Sequence, residues 1–225
     1  MCGRFTLTVD PADLQDAFPQ FTFPEKYASR YNISPCQPIL AIPNADNNAA
    51  GFFIWGLIPS WAKDPTIGSK MINARAETLA EKPSFRSGFK YHRCLIMADG
   101  FYEWKQQPGT KAKTPYFIRL KSGKPFAFAG LWDTWQSPDG GSVKSATIIT
   151  TGPNSLMAPI HNRMPVILPP SAYAQWLDPA ARTLETLQTL LASYPAEEMN
   201  AHPVSTLVNS PANDRVECII PTDVV

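Results

Sequence analysis

The first reactive group of this chain is Cys2, which follows Met1 and precedes Gly3-Arg4. Initiator methionine is commonly removed before a residue as small as cysteine, and we expect the mature chain to begin at Cys2. Its free α-amine would titrate at about 7.7–8.0 and its thiol at about 8.5, so both would be partly nucleophilic at neutral pH. Such a pair converts an aldehyde first to an imine and then, by intramolecular thiol attack, to a five-membered thiazolidine. A buried, inert cysteine at the start of a strand is the structural alternative.

Three further segments combine polar or ionisable side chains with surroundings typical of strand ends: Met71–Thr78, Ala98–Lys105 and Pro159–Val166. Their candidate chemical groups are the amide of Asn73, the carboxyl of Glu103 and the imidazole of His161. An amide can orient an oxygen, whereas a carboxyl and an imidazole can transfer protons near neutral pH. Taken singly, each also has a structural explanation, as a turn residue, an outward charge on a strand and a loop histidine.

The overall composition is that of an ordinary globular protein, with 225 residues, 44% hydrophobic and 17% charged. The length allows a well-buried core. The net charge of +1 neither requires nor excludes nucleic acid, so DNA binding would depend on local arginine and lysine clusters. We find no secretory signal and no apolar run long enough to span a bilayer. The sequence therefore predicts an intracellular protein, in the cytoplasm or nucleoid if the host is bacterial, and no membrane partner.

The cysteines and histidines lack the spacing of a metal site: Cys2, Cys36, Cys94 and Cys218 lie far apart, as do His92, His161 and His202. An intracellular location argues against disulfides, so we expect the last three cysteines to be inert. The chain also lacks a glycine-rich phosphate loop. We therefore predict no metal and no cofactor.

The hydrophobic pattern predicts many short strands and few helices. The strand candidates are rich in β-branched and aromatic residues and are separated by Pro, Gly, Asn and Asp: Phe5–Val9, Pro38–Ile42, Gly51–Ile58, Cys94–Ala98, Phe101–Lys105, Tyr116–Leu120, Phe126–Leu131, Ala146–Thr151, Val166–Leu168 and Val216–Ile220. The helix candidates are Pro11–Phe18, Ser171–Leu177 and Ala180–Tyr194. These elements favour one α+β domain over residues 1–225, with a core at 1–220 and a C-terminal tail at 221–225. Its sheet is expected to be mixed or antiparallel and partly barrel-like, with a few flanking helices.

In their order and spacing, these segments resemble one family closely. The chain is similar to the SOS-response-associated peptidase (SRAP) family, whose members process abasic sites and crosslink to damaged DNA. The resemblance covers nearly the whole chain and rests on the three segments above together with Met1–Phe5, Arg30–Pro35, Trp55–Trp61, Ile148–Thr150 and His202–Ser205.

The resemblance implies that Cys2, Asn73, Glu103 and His161 form the catalytic set. An abasic deoxyribose interconverts between a closed hemiacetal and an open aldehyde, and His161 suits the proton transfer that opens the ring. Glu103 suits the proton shuttling that imine formation and thiazolidine closure require. Asn73 can orient the sugar oxygen or a developing alkoxide. The resemblance also implies lyase-type chemistry on the lesion and removal of Met1 by the site itself, although a methionine aminopeptidase could remove it instead.

The expected partner is single-stranded DNA that contains an abasic site, bound without sequence preference by a monomer. Three arginines, each two residues from a catalytic position, could contact phosphates: Arg4, Arg75 and Arg163. A second group is expected to line the DNA path: Asn32, Pro35, Trp61 and Trp104. Its proline and tryptophans are candidate stacking platforms for bases. In a regular strand Glu103 and Trp104 point to opposite faces, so both can line one site only if the strand bends or ends there. The arginines could also be ion-pair partners, and the tryptophans core residues.

Three other functions remain open from the residues alone. An N-terminal-nucleophile amidohydrolase also begins Met-Cys-Gly and uses the cysteine thiol against an amide. Members of that class typically have an aliphatic residue where this chain has Arg4 and use an Asn-Gly element, which is absent from this sequence. A peptidase acting on other proteins is the second possibility, and a reversible single-stranded DNA binder is the third.

Overall fold

A computed structural model describes residues 2–45, 48–181 and 183–222. Within these residues the strands are β1 Phe5–Leu7, β2 Arg30–Ile33, β3 Pro38–Pro43, β4 Gly51–Trp55, β5 Asn73–Arg75, β6 Arg93–Ala98, β7 Gly100–Gln106, β8 Lys113–Leu120, β9 Phe126–Gln136, β10 Ser142–Thr151, β11 Met164–Pro165, β12 Ile167–Leu168 and β13 Met199–Pro203. The α-helices are α1 Pro11–Ala17, α2 Pro83–Tyr91, α3 Tyr173–Leu177 and α4 Leu184–Thr189. Short 3-10 turns complete the set at Pro65–Lys70, Ala76–Thr78, Pro170–Ala172, Ala196–Glu198, Thr206–Asn209 and Val216–Cys218.

Five strands form a closed barrel in the order β10-β4-β3-β6-β9, because β9 pairs back with β10 from Gln136↔Ser142 to Gly130↔Ile148. The β4–β10 pair is parallel and the other four are antiparallel, so the barrel is mixed. Beyond the β4 contact, the end of β10 pairs with β5 in parallel and with β11 in antiparallel orientation. Strand β10 therefore connects the barrel wall to the two segments that carry Asn73 and the loop before β11.

A second, antiparallel sheet has the order β13-β8-β7-β1-β2 and packs against the barrel. Phe5 of β1 makes the contact, with its ring centroid 5.0 Å from that of Trp55 and 5.8 Å from that of Phe128. Gly100 begins β7 at a close approach, since a Cβ atom there would lie 2.2 Å from the Phe117 ring. The two sheets thus share one core, and the start of the chain is clamped between them.

The structure confirms a single α+β domain with a mixed, partly barrel-like sheet and a few flanking helices. The helix predicted at Pro11–Phe18 forms as α1, and the Asp10 side chain caps it by accepting a hydrogen bond of 2.8 Å from the Asp13 amide. The short helix before Leu177 also forms, split between a 3-10 turn and α3.

Two predicted elements are wrong. The predicted strand Val216–Ile220 is absent, and a 3-10 turn lies at Val216–Cys218 instead, because Cys218 is buried in the core whereas Val216 and Ile220 are about half exposed. Among the described residues of the predicted helix Ala180–Tyr194, which leave out residue 182, only Leu184–Thr189 is helical, although Leu187 and Leu191 are buried as its apolar pattern requires. Helix α2 and strands β2, β5, β11 and β13 were not predicted from the sequence.

The predicted C-terminal tail, residues 221–225, is described by the structure only in part. The Thr222 amide donates a hydrogen bond of 3.0 Å to the Pro203 carbonyl, so the chain stays attached to β13 through residue 222. The rest of the predicted tail, residues 223–225, lies outside the described residues, as does Met1. Within the described part of the chain, we find no helix that is long and apolar enough to cross a membrane.

Candidate functional site

The four residues of the predicted catalytic set meet where the barrel and the second sheet adjoin. Phe5 pairs with Phe101 across β1 and β7, and the Tyr102 amide donates to the Arg4 carbonyl at 3.0 Å. This register, continued by one residue, brings Glu103 opposite Gly3 and next to Cys2. Asn73 begins β5 on the barrel side, and His161 lies in the loop between β10 and β11. The pairing of β10 with β5 and β11 brings these two residues to the same edge.

Asn73 ties the N-terminal segment to the barrel. Its Nδ2 donates a hydrogen bond of 2.7 Å to the Cys2 carbonyl, and its backbone pairs with Ile148 of β10. Its Oδ1 is buried and has no hydrogen-bond partner among the residues that the structure describes. A buried amide oxygen without a donor is rare in folded proteins, so this atom is available to a donor from a bound ligand or from the chain terminus.

Glu103 and His161 form a pair of titratable groups, with 3.8 Å between Glu103 Oε2 and His161 Nε2. Burial raises the pKa of Glu103 to about 7, because its side chain is only 3% exposed and the ionised form is poorly solvated. Burial also lowers the pKa of His161, and the positive charges of Lys113 and Arg163 act in the same direction. The pKa of Glu103 rises while that of His161 falls, so the carboxyl can hold a proton near neutral pH while the imidazole is neutral.

The other ring nitrogen of His161 has a backbone partner for either protonation state. The Arg163 amide donates to Nδ1 at 3.1 Å, which fits the neutral ring with its proton on Nε2. The Arg163 carbonyl lies at the same distance and can accept from Nδ1 once the ring is protonated. His161 can therefore gain or lose a proton without losing its support on the Nδ1 side.

The Cys2 thiol is fully buried, and its Sγ donates a long hydrogen bond of 3.6 Å to the Arg4 carbonyl. Burial raises the pKa of this thiol well above its usual range, and the negative charge of Glu103 adds to the effect. The sulfur is consequently protonated at neutral pH. Any nucleophilic attack by it needs a base, and Glu103 is the base that its surroundings provide.

A groove of about 750 Å³ opens beside His161 and is lined by Arg75, Glu77, Thr78, His161, Asn162 and Arg163. Arg75 is exposed there. Arg163 makes a bidentate ion pair with Glu77, at 2.7 and 3.0 Å, and also donates to the Thr150 carbonyl at 2.6 Å. The groove therefore holds two of the three arginines that the sequence analysis proposed as phosphate contacts.

Arg4 and Asn32 face the C-terminal turns instead. Arg4 Nη1 donates to Asn32 Oδ1 at 2.8 Å and to the Val208 carbonyl at 2.6 Å, and Nη2 donates to the Asn209 carbonyl at 3.3 Å. Asn32 is buried, and its Nδ2 donates to the Asn213 carbonyl at 2.7 Å. In this structure both side chains hold the turn near Val208 against β2, and a DNA contact from either residue stays a prediction.

The three proposed stacking residues lie in different settings. Trp61 is 61% exposed on the turn that follows β4, and Pro35 is half-buried in the turn between β2 and β3. Trp104 packs against a small buried cluster that includes Tyr102 and Val208, and its Nε1 donates to Asn209 Oδ1 at 2.8 Å. Pairing of β7 with β8 is continuous from residue 101 to residue 106, so the strand does not bend there. Trp104 therefore lies on the face opposite Glu103, and its stacking role stays a prediction.

The sequence analysis missed two charged residues of the site. Glu77 lies within the segment Met71–Thr78, but nothing local to it reveals that Arg163 is its partner. Lys113 lies on β8 and, together with the stronger effect of burial, lowers the pKa of His161. Its position depends on the β7–β8 hairpin and has no local signal. In residues 2–45, 48–181 and 183–222 there is no cluster of three or more His, Cys, Asp or Glu side chains that could hold a metal ion.

Comparisons with known proteins agree with this architecture. Residues 1–211 match the family model described as SOS response associated peptidase (SRAP). The abasic site processing protein YoqW of Bacillus subtilis (strain 168) is 51% identical over 222 residues, covering 97% of this chain and 99% of its own. The abasic site processing protein HMCES of Pongo abelii is 35% identical and covers all of this chain and 77% of its own. A crystal structure of a Bacteroides thetaiotaomicron protein, 27% identical, superposes with a TM-score of 0.87 over 98% of this chain and 100% of that one. The chain belongs to the SOS response associated peptidase family.

Proposed function

We propose that this protein captures abasic sites in single-stranded DNA as a covalent thiazolidine on Cys2, once Met1 has been removed. The observation that carries the proposal is the juxtaposition of Cys2 and Asn73 with the Glu103–His161 pair, contributed by four separate segments. The names of the relatives YoqW and HMCES, both called abasic site processing proteins, support the choice of lesion. Such an adduct would shield the lesion during the response to DNA damage.

The first step is opening of the sugar. The closed hemiacetal must lose its hydroxyl proton while its ring oxygen gains one. A carboxyl that can hold a proton near neutral pH beside a neutral imidazole suits this exchange, because the carboxyl can donate while the imidazole accepts. His161 is the better candidate for contact with the sugar, since its side chain is 26% exposed whereas that of Glu103 is 3% exposed.

The second step is capture of the aldehyde by the α-amine. The neutral amine adds to C1′ to give a carbinolamine, and loss of one water leaves the C1′=N imine. The amine must first be deprotonated and the departing hydroxyl must be protonated, and Glu103 can relay both protons. Asn73 would fix the Cys2 carbonyl and thereby the direction of the amine.

The third step is ring closure by the thiol. The sulfur adds to the imine carbon, and the proton lost from sulfur ends on the ring nitrogen, so the overall reaction releases one water. The raised pKa of the thiol argues that sulfur attacks second, as Glu103 takes its proton. Before closure the imine is also open to β-elimination, which is the lyase-type chemistry that we propose for this site when closure fails.

DNA binding is proposed to depend on the groove and on the exposed aromatic side chain of Trp61. Arg75 and Arg163 would contact backbone phosphates, and Trp61 would stack with an unpaired base. Such contacts carry little sequence information. We expect binding that tolerates any sequence, prefers single strands and weakens with salt, with Arg75→Ala reducing affinity about equally for all sequences.

We also propose that the same site removes Met1, because the Met1–Cys2 amide adjoins the Cys2 thiol and the carboxyl that would assist it. The alternative is a methionine aminopeptidase. Intact mass separates the two possibilities: Glu103→Gln and Cys2→Ala should retain Met1 if the site acts on itself. If both variants begin at residue 2, a separate peptidase is responsible.

The decisive experiment mixes the protein with a single-stranded oligonucleotide that carries one abasic site, without a reductant. Wild type should give a complex that survives SDS and heat. Cys2→Ala should give at most a transient imine with strand cleavage, and Cys2→Ser only a weaker oxazolidine. A durable adduct with Cys2→Ala, or none with wild type, would overturn the thiazolidine. In that case reversible DNA binding or glutaminase activity, assayed in parallel, would favour one of the alternative functions.

A further inference from the structure

One ion pair occupies the guanidinium that the groove would offer to DNA. Both terminal nitrogens of Arg163 donate to the two carboxylate oxygens of Glu77, at 2.7 and 3.0 Å. Arginine binds phosphate through the same paired, parallel hydrogen bonds. Glu77 therefore occupies the edge of Arg163 that a backbone phosphate would use.

We infer that Glu77 is a specificity-determining residue of this groove, whose carboxylate a backbone phosphate must displace from Arg163 before the strand can bind. The inference rests on the proposed function and adds a requirement to it. A ligand without a phosphate at this position, such as a small free aldehyde, would leave the ion pair intact. When a strand supplies the phosphate, Arg163 exchanges one bidentate anion, the Glu77 carboxylate, for another of similar geometry.

The surroundings of the pair make this exchange feasible. The Glu77 side chain is 52% exposed on the 3-10 turn Ala76–Thr78, so water can solvate the carboxylate once it leaves. Ion pairs with an exposed member are weak. The Nε of Arg163 is buried and has no acceptor within the described ranges, so the guanidinium is not fully satisfied in its present position. The hydrogen bond of 2.6 Å from Arg163 to the Thr150 carbonyl does not involve Glu77, so it can hold the guanidinium in place when the carboxylate leaves.

The displaced carboxylate also affects affinity. Wherever it moves on this short turn, it stays within about 10 Å of the groove, which is the distance over which charges interact at ordinary salt. Its charge then opposes that of the DNA backbone. Glu77 should consequently weaken binding to undamaged strands, and leave tight association to strands that gain a second anchor at the lesion. Glu77 would thus favour damaged over undamaged strands because its charge repels both, and only the damaged strand has a second anchor.

The test compares Glu77→Gln with Glu81→Gln, an exposed position four residues further along that carries the same charge. Fluorescence anisotropy with an undamaged single-stranded oligonucleotide at 0.1 M salt measures affinity. We expect Glu77→Gln to bind about three- to tenfold more tightly than wild type, and Glu81→Gln to stay within about twofold. Equal or weaker binding by Glu77→Gln would overturn the inference and make Glu77 a support that positions Arg163. Melting temperatures confirm that the variants are folded.

A double-mutant cycle separates displacement from a general charge effect. Arg163→Gln should reduce affinity more in the Glu77→Gln background than in the wild-type background, because only there is the guanidinium free before DNA arrives. Equal reductions would also overturn the inference. Absence of measurable binding in all four proteins would instead refute the proposed function, so the two failures are distinguishable.

Discussion

Replacing Glu103 with glutamine is expected to make the protein less active but more stable at alkaline pH. The Glu103 side chain is 3% exposed, and burial raises its pKa from 4.5 to about 7. Because the folded-state pKa is the higher one, the folded protein favours the protonated carboxyl. Wild type then loses stability as the pH rises from about 4.5 to about 7, and the loss is complete above pH 7. Glutamine does not titrate and avoids this loss.

These two pKa values fix the size of the effect. Linkage gives a difference of about 2–3 kcal/mol in the free energy of unfolding between pH 5 and pH 8. For a chain of this length that corresponds to roughly 5–10 °C in melting temperature. An unsatisfied glutamine amide adds a penalty of about 1–3 kcal/mol, but that penalty is the same at both pH values. Thermal unfolding should therefore be measured for Glu103→Gln and wild type at pH 5 and at pH 8. The relevant quantity is how much the difference in melting temperature between the two proteins changes from one pH to the other.

The preparation matters for this measurement. The effect applies to protein whose Cys2 nitrogen is still acylated, which an uncleaved N-terminal extension ensures and intact mass verifies. Burial raises the pKa of Glu103 more than the N-terminal amine of the unprocessed chain lowers it, so the value of about 7 already includes that amine. An extension that moves the amine away should enlarge the effect. Glu217→Gln, at a position where the side chain is 50% exposed, serves as the control and should follow wild type at both pH values. If the Glu103→Gln and wild-type melting temperatures differ by the same amount at pH 5 and pH 8, the reasoning about burial is refuted.

Three further variants test the proton pair and the supports of the fold. His161→Ala should slow crosslinking about 10²-fold, as is typical for an acid–base group, with an unchanged melting temperature; a wild-type rate would remove it from the mechanism. Arg93→Met should lower the melting temperature by roughly 10 °C, since the buried guanidinium donates to four backbone carbonyls that would lose their donor, and a change of under 2 °C would contradict this. Gly100→Ala should cost about 1–3 kcal/mol in unfolding free energy because of the Phe117 ring, whereas Gly152→Ala, with open space around its Cβ position, should have little effect.

Much of the sheet could be predicted from the sequence because its strands carry β-branched and aromatic side chains between turn residues. The exceptions have local causes. Helix α2 contains Gly88 and begins at Pro83, and its two core residues, Phe85 and Phe89, are too few to mark a helix by periodicity. The apolar letters of Val216–Ile220 resemble a strand, but only Cys218 among its side chains lies fully within the core. The local hydrophobic pattern does not distinguish a turn that buries one side chain from a strand.

The candidate site could be predicted as a set of residues but not as an arrangement. The chemistry of Cys2, Glu103 and His161 follows from their side-chain types, and the resemblance assigned them to one site. Their mutual distances depend on the β4–β10 pairing of the barrel and on the β1–β7 register, both of which join residues more than 90 positions apart. The Glu77–Arg163 pair spans 86 positions in the sequence and has no local signal for the same reason.

Burial gives this site its reactivity and also its instability. The surroundings that raise the pKa of Glu103 towards neutrality also keep the Cys2 thiol protonated, so neither group is ready for attack alone. Each becomes useful through the other, because the carboxylate can take the thiol proton when the imine has formed and return it to nitrogen as the ring closes. The ionised carboxyl then lowers the stability of the free protein, whereas a cationic α-amine beside it would relieve that loss. Removal of Met1 would therefore create the nucleophile by placing the α-amine on Cys2, next to the carboxyl whose burial a positive charge offsets.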